Sequence, residues 1–551
     1  MSTKYIFITG GVVSGLGKGI TAAVLGGLLK ARGLSVRNQK LDQYINVDPA
    51  MMSPIQHGEI FVTEDGAETD LDIGHYERFT EVNLNHESDI TSGLVYRDVI
   101  ERERAGGYHG RTVQIVPHII NELKEHMFAI SRQDNPDVCI IEIGGTVGDM
   151  EGMPFLEAIR QVSYQVGREN CIFLHLTLLP YLANSFEIKT KPTQHSVQKL
   201  LSYGIQPDIL VCRTEVPMNK ETRDKIALFC NVPARAVIEN INMDTVYALP
   251  MYFEEQGLTD EVCSRLGIAQ FVEPDLSDWE NLLDKIRRSR RTLRFAITGK
   301  YVELPDAYYS VMEALEHACI EKFNKVEFVW VDSDGLEDKN DEELADIYQD
   351  CHGILVPGGF GPRGMEGMIR ACRYAREQNI PFLGIGLGMQ MAVVEFARNM
   401  AGIKDAHTDE VEHECSDVFY YAGLSEIGKD KLATIPLTEQ PMRRGAYPMV
   451  LAEDSMLAKL YASTEVSERH HHRREFNPAY QGPLLENGLK AVGYSPDGEF
   501  LEAIELDKHP FYIGLISHPE FKSRPLKPHP VFRGLINAAL KFRQELECEE
   551  Q

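Results

Sequence analysis

Two stretches of this 551-residue chain carry chemistry in their spacing. GGVVSGLGKG, residues 10–19, follows the apolar run KYIFITG and leads into ITAAVLGGLLKARG. Between a strand and a helix, the backbone N–H groups of Ser14 to Gly19 would face an anion with the helix dipole behind them, and Lys18 would reach the outer phosphates. The loop is one residue longer than G-x-x-x-x-G-K-[ST], and Gly19 stands where that pattern has a hydroxyl. A plain glycine-rich turn is the competing reading, and the position at the head of a sheet favours the nucleotide loop. PFLGIGLGMQ, residues 381–390, is the second stretch: a strand, a G-x-x-x-G turn and a helix, the layout of a nucleophile elbow. Its apex is Gly386, which carries no nucleophile, and Met389 stands where a dinucleotide fingerprint needs glycine.

A triphosphate calls for a divalent cation, and hard cations take carboxylate oxygens. Glu142 ends the apolar run DVCIIEIGG, on the side of a parallel sheet where ligands bind, and Asp72 lies in TEDGAETDLDIGHYERF. The competing readings are a Glu142 paired with a neighbouring cation and an Asp72 in a solvated loop. EIKTKPTQHSV, residues 187–197, sets Lys189, Lys191 and Gln194 around a proline, suited to a second anionic ligand or to a solvated basic turn.

These residues need a scaffold. KYIFITG, SVRNQKLD, DVCIIEIGG, CIFLHLTLLP and QPDILVCR alternate with helical stretches, the pattern of a parallel sheet covered on both faces. VEPDLSDWENLLDKIRRSRRT, residues 272–292, changes sign from acidic to basic and reads as a linker, part helical. The strand pattern then restarts with LRFAITGKYVE, KVEFVWVDS, HGILVPGGFG and IPFLGIG. The expected class is α/β in two domains: a P-loop parallel-sheet domain over 1–271, and after the linker a second α/β domain over 293–545, with a frayed acidic tail at 546–551. A net charge of −27 argues against general affinity for nucleic acid or anionic membrane, so anionic ligands depend on local Lys, Arg and backbone N–H groups. Ten cysteines without a C-x-x-C pair, no leader-like opening and no long apolar run make a reducing cytoplasm and no membrane anchor the expectation.

KLDQYINVDPAMMSPIQHGEIFVTEDGAETDLDIGHYERF, IEIGGTVGD, KTKPTQHSV, PGGFG, GLGMQ and HPEF together resemble the CTP synthase family over nearly the whole chain, most densely over 4–270. The resemblance implies an N-terminal amidoligase domain and a C-terminal class I glutamine amidotransferase domain, assembled as a homotetramer. ATP would phosphorylate O4 of UTP, and ammonia would displace the phosphate to give CTP. Lys18 and Lys40 would stabilise charge on the transferring phosphoryl group, and Asp72 and Glu142 would hold Mg²⁺. Gly15, Leu16, Gly17, Lys18, Gly19, Ile20 and Asp72 would contact ATP. Ser14, Asp149, Met150, Glu151, Lys189, Thr190, Lys191, Pro192, Thr193, Gln194 and Lys225 resemble the UTP site and the overlapping site for feedback inhibition by CTP.

Releasing ammonia from glutamine in that class takes a Cys thiolate, a His base and a carboxylate that orients the His. His518 and Glu520 in FYIGLISHPEF match the last two; without the family context, a strand-ending turn stays open. PGGFG, residues 357–361, offers the Gly359 N–H to an oxyanion, and Leu387, Gly388, Met389, Gln390, Glu410 and Arg473 match positions that would bind glutamine. Gly386 stands where the family has cysteine, and Cys351, Cys372 and Cys415 lie off the turn. ERHHHRRE, residues 468–475, invites a metal reading that the lack of a Cys or carboxylate at ligand spacing argues against. EQPMRRGAYP, residues 439–448, keeps Arg443 without the family's glycines, and 411–440 match poorly, which puts activation by GTP in question. The expectation is amination of UTP from free ammonia with glutaminase activity lost. The alternative from another class is a non-catalytic nucleotide-binding protein that assembles or regulates. A partitioning-type P-loop ATPase would leave KTKPTQHSV and the second half unexplained.

Overall fold

A computed structural model describes residues 3–268, 272–411, 415–421 and 441–549. The chain forms two compact α/β units, Met1–Pro49 with Asp72–Leu283, and Ala50–Leu71 with Asp284–Gln551. Two boundaries thus differ from the sequence reading. Residues 50–71 pack with the C-terminal unit, and the division falls inside the helix Ser277–Arg288, within the stretch read as a linker. That helix is packed: Trp279 stacks on Phe79 at 5.3 Å and on Tyr247 at 6.3 Å. Its apolar stripe, not its overall polarity, decided its place.

The first unit is built on seven parallel strands in the order Val237–Ile241, Ile209–Thr214, Cys171–Leu179, Lys4–Gly10, Val138–Ile143, Val36–Asp42 and Asp89–Thr91. Near-continuous apolar runs suit strands covered on both faces, and in Lys4–Gly10 every residue after the first is buried. Lys4–Gly10 is the central strand, so the loop that follows it opens at the middle of the ligand-binding edge.

The second unit is built on a sheet of nine strands among the described residues. Asn324–Asp332, Arg291–Gly299, Gly353–Val356, Phe382–Ile385 and Tyr512–Leu515 run parallel, and Leu501–Leu506, Leu489–Tyr494, Arg443–Leu451 and Glu465–His472 continue antiparallel. Alternation sorts neighbours to opposite faces: Ile354, Phe382 and Tyr512 enter one apolar core, and Leu355, Leu383 and Ile513 the other. A short hairpin, Phe61–Val62 with Glu68–Thr69, belongs to this unit.

Residues 546–549, expected as frayed tail, complete the helix Pro530–Glu549, while 550–551 lie outside the described residues. Of the poorly matching region, 412–414 and 422–440 lie outside them too. Among the described residues no helix is long and apolar enough to cross a membrane.

Candidate functional site

The loop after Lys4–Gly10 runs directly into the helix Lys18–Ala31. Gly17 caps that helix at φ 84°, ψ 39° without a side-chain hydrogen bond, which leaves the first-turn N–H groups facing the loop. Val12 sits at φ 79°, a conformation that costs a non-glycine residue about 1–3 kcal/mol. Bonds at the loop base hold it there: Gly11 N–H donates to the Leu176 carbonyl at 3.0 Å, and Val147 N–H to that of Gly10 at 2.8 Å. Lys18 Nζ donates to the Gly145 carbonyl at 2.9 Å. A Cβ on Gly19 would stand 2.1 Å from Asp72 Oδ1. A hydroxyl residue there would displace the carboxylate, which gives the departure at 19 a steric reason.

Register sets Glu142 opposite both Ile8 and Lys40 on its neighbouring strands. Lys40 Nζ pairs with Asp72 and lies 3.7 Å from Asp42, and the Tyr76 hydroxyl donates to Glu142. Burial, and after it the charge of Asp72, pushes Glu142 up to about 8. Burial acts upward on Asp72 as well, but Lys40, His75 and Lys18 outweigh it and leave this carboxyl below its usual range. Asp72 lies in the first turn of the helix Leu71–Thr80, not in a solvated loop. Asp72, ionised beside its cations, and Glu142, whose ionisation the Asp72 charge opposes, are hard oxygen donors of the kind a divalent cation takes.

The KTKPTQHSV turn is less uniform than its sequence implies. Thr190 precedes the helix Lys191–Ser202, in which Pro192 occupies the first turn. Thr193 and Gln194 fold inward: the Thr193 hydroxyl donates to the Leu178 carbonyl at 3.0 Å, and Gln194 Nε2 to Thr190 Oγ1 at 3.0 Å. Their side chains brace the turn. Lys189 pairs with Glu187, Lys191 Nζ lies 5.7 Å above the Phe229 ring, and Lys225 is exposed on the helix Lys220–Cys230. Asp149, Met150 and Glu151 are exposed, as are Ser14 and Gly15 at the loop tip.

In the second unit the strand Phe382–Ile385 passes through Gly386, at φ 54°, ψ −112°, into the helix Leu387–Asn399. Glycine takes that conformation freely, and any side chain is strained in it. Gly388 is needed for approach, since a Cβ there would lie 1.9 Å from the Val356 carbonyl oxygen. His518 Nδ1 bonds Glu520 Oε1 at 2.7 Å, and the place of a Cβ on residue 386 is 2.9 Å from His518 Nε2. Both residues lie buried on the turn after Tyr512–Leu515, so HPEF is a strand-ending turn and a His–carboxylate dyad together.

Lys300 Nζ braces the PGGFG loop by donating to the Phe360 and Gly361 carbonyls, and burial brings its ammonium down to about 8. Glu410 accepts from the Gly361 N–H at 2.8 Å and pairs with Arg474 at 3.3 Å. The Arg473 guanidinium lies 5.4 Å from the centre of the Phe360 ring. Gln390 is buried with its side-chain oxygen unbonded, whereas Met389 is part of the apolar core. The other cysteines stay off the apex: Cys351 and Cys372 are buried with burial pushing both thiols up, Cys351 to about 11, and Cys415 Sγ contacts Asp417 at 3.2 Å.

Sequence reasoning missed the part played by 50–71. Glu68 bonds His471 at 2.8 Å and Arg444 at 2.5 Å, Glu64 pairs with Arg469 at 3.1 Å, and Glu59 accepts from the Ser310 N–H at 2.9 Å. His471 in turn sets its ring edge against Phe360, 5.2 Å between centres. His470 bonds Glu502 at 2.7 Å and His472 bonds Glu475 at 2.9 Å, so the histidine run is a series of His–carboxylate pairs whose acids come mostly from distant segments. Arg443 holds Glu502 at 2.7 Å and Glu475 at 3.3 Å. Among the described residues the group at ligand spacing is Asp98, Glu122 and His126, and Arg97 and Arg102 already hold its carboxylates. No spacing rule announces the pairs made by Glu59, Glu64 and Glu68, because their partners lie hundreds of residues away.

Residues 4–268 match the family described as CTP synthase N-terminus, and residues 303–538 match glutamine amidotransferase class-I. The CTP synthase of Ruminiclostridium cellulolyticum is 50% identical over 552 residues, covering 98% of this chain and 100% of that protein. That of Geobacillus kaustophilus is 51% identical over 544 residues, with 98% and 100% covered. A solved glutaminase domain of Trypanosoma brucei CTPS with bound acivicin is 35% identical, with a TM-score of 0.41, and covers 45% of this chain and 94% of that one.

Proposed function

Because this chain belongs to the CTP synthase family, we propose that it aminates UTP to CTP with ATP and free ammonia, and that it draws little nitrogen from glutamine. The observation that carries the ligase half is the convergence of Lys40, Asp72 and Glu142 beside the glycine loop and Lys18. The loop N–H groups and Lys18 would hold the triphosphate, and Lys40 would follow charge onto the phosphoryl group as it leaves ATP for O4 of UTP. Asp72 and Glu142 would hold Mg²⁺, which supplies charge neutralisation between phosphate oxygens when bound. Ammonia would then add at C4 of the phosphorylated pyrimidine, and phosphate would leave.

Lys189, Lys191 and Lys225 are the cations available to the UTP phosphates, and Thr193 and Gln194 keep their turn in shape. The same surface would take CTP as a feedback inhibitor. Large apolar side chains left at the surface of the first unit, Tyr164, Ile100 and Ile115, support assembly into a homotetramer. A cytoplasmic setting agrees with this substrate set.

Glutamine would be held by Gln390, Glu410 and Arg473 near the Gly359 N–H. His518 and Glu520 are a base with its orienting acid, and Gly386 gives them no thiol to activate. Losing a catalytic nucleophile commonly costs on the order of 10⁶ in rate. Arg443 is committed to Glu475 and Glu502, which supports a weak response to GTP.

The test is CTP formation from UTP, ATP and Mg²⁺ with ammonium or with glutamine as nitrogen donor. Ammonium is expected to support turnover and glutamine to leave the rate near background. Comparable rates with both would refute the glutaminase reading, and no product with ammonium would refute the ligase reading in favour of a non-catalytic nucleotide binder.

A further inference from the structure

We propose that His175 is a positioning residue for the ligase: its two ring nitrogens tie the phosphate loop to the helix that carries the KTKPTQHSV turn, so that filling one site tightens the other. The inference rests on the reading of loop and turn as the ATP and UTP sites. His175 lies on Cys171–Leu179 with no exposed surface, opposite Thr9 in register. Its Nδ1 is 2.8 Å from Thr9 Oγ1, and its Nε2 is 2.8 Å from Ser196 Oγ. Thr9 belongs to the strand that runs into the phosphate loop, and Ser196 stands two residues beyond Gln194 in the helix Lys191–Ser202.

Burial, reinforced by the charge of Lys18, brings the imidazole down to about 3 and keeps it neutral near pH 7. One nitrogen therefore donates and the other accepts, which makes Thr9, His175 and Ser196 a polarised hydroxyl–imidazole–hydroxyl chain. The phosphate loop rests on that chain. A Cβ on Gly11 would lie 1.7 Å from Ser196 Oγ and 3.1 Å from His175 Nε2, so the loop backbone touches the bridge directly. Gly11 N–H is also bonded to Leu176, the residue after His175. The strained Val12 follows at once, and its conformation persists only while Gly11 is held. A shift of Ser196 with its helix would therefore be passed to the loop through direct contact. Nothing in the sequence marked this histidine out: it sits inside an apolar run, CIFLHLTLLP, as a buried strand residue would.

The test uses the full chain with ATP, UTP and ammonium. His175→Leu removes both bonds, and Ser196→Ala removes one while leaving the core packed. His175→Gln keeps a polar atom near the Nε2 position, and His175→Asn keeps one near Nδ1. In His175→Leu and Ser196→Ala, KM for ATP and for UTP are expected to rise together, about tenfold, with kcat changed far less. His175→Gln should recover most of the loss and His175→Asn should not. UTP should tighten binding of a non-hydrolysable ATP analogue in the parent and should no longer do so in Ser196→Ala. A parent that forms no CTP from ammonium defeats the site assignment, and this proposal with it. An active parent whose Ser196→Ala variant keeps both KM values and the coupling defeats the proposal alone. So does a set of His175 variants whose activity falls only in step with their melting temperatures.

Discussion

At Gly386 the turn that presents a nucleophile survives without its side chain because the backbone itself, at φ 54°, asks for glycine. Gly386→Cys would bring a Cβ to 2.9 Å from His518 Nε2, so the imidazole must yield by a few tenths of an ångström. Glutamate release is expected to rise by at least about 10³-fold, with a loss of stability of about 1–3 kcal/mol for the strained turn, read by glutaminase assay and thermal melting. A flat glutaminase rate in a folded variant would shift the blame to the glutamine-binding loops. Gly19→Ser tests the other half. Its Cβ meets the Asp72 carboxylate at 2.1 Å, and ammonia-driven kcat should fall about 10²-fold, as small misplacements of catalytic groups do. Lys18 and Glu142 stood out in the sequence because a glycine loop and a strand end mark them, whereas Asp72 had only a polar stretch around it and opens the helix Leu71–Thr80. Glu68 and His471 were not legible, since a pair separated by 403 positions has no local signature.

The helices Met365–Glu377 and Leu387–Asn399 lie side by side next to the elbow, and Glu366 joins them. Its carboxylate takes Arg398 at 2.8 Å and 3.0 Å and His407 at 3.2 Å. The His407 hydrogen bond, opposed by burial and aided by Arg398, draws the Glu366 carboxyl down to about 2. A folded-state value below the unfolded one, roughly 4.3, stabilises the fold above that pH and is lost as pH falls toward 2. The melting-temperature gap between the parent and Glu366→Gln should therefore be full at pH 7 and shrink steadily below pH 4. A gap independent of pH would remove this carboxylate from the account. The parallel character of the first sheet followed from apolar runs alternating with helices, whereas the order of its strands did not, because a run carries no mark of its neighbours. The helix Ser277–Arg288 was harder, because a charged sequence with one apolar stripe resembles a linker until Phe79 and Tyr247 are in place to receive Trp279.

For the molecule as a whole, the surplus of acid, 83 Asp and Glu against 56 Lys and Arg, means that the proposed ATP and UTP would depend on local cations and backbone N–H groups. Nucleotide affinity should therefore weaken when Lys18, Lys40 or Lys191 is replaced one at a time, and little when surface lysines elsewhere are; titration with UTP and an ATP analogue checks this. Assembly is the second test at this scale: UTP with ATP should raise the four-chain species in sedimentation velocity, and a single-chain species throughout would remove the tetramer. The family was legible because long motifs in the first half are specific. The path of the chain was not, since nothing in FVTEDGAET, residues 61–69, shows which unit will claim the hairpin it forms.

That path has a consequence for how such a protein can be taken apart. The chain leaves the first unit at residue 49, returns at 72 and leaves again at 283, so a single cut between the halves cannot separate them as complete bodies. A fragment beginning at 284 would leave Arg469, His471 and Ser310 without Glu64, Glu68 and Glu59. Genetic shuffling that trades the C-terminal half for another amidotransferase would break those bonds unless the 22 residues from Ala50 to Leu71 travelled with it. The excised second half should thus be restored by that short peptide supplied in trans, an inheritance unit that gene order alone conceals.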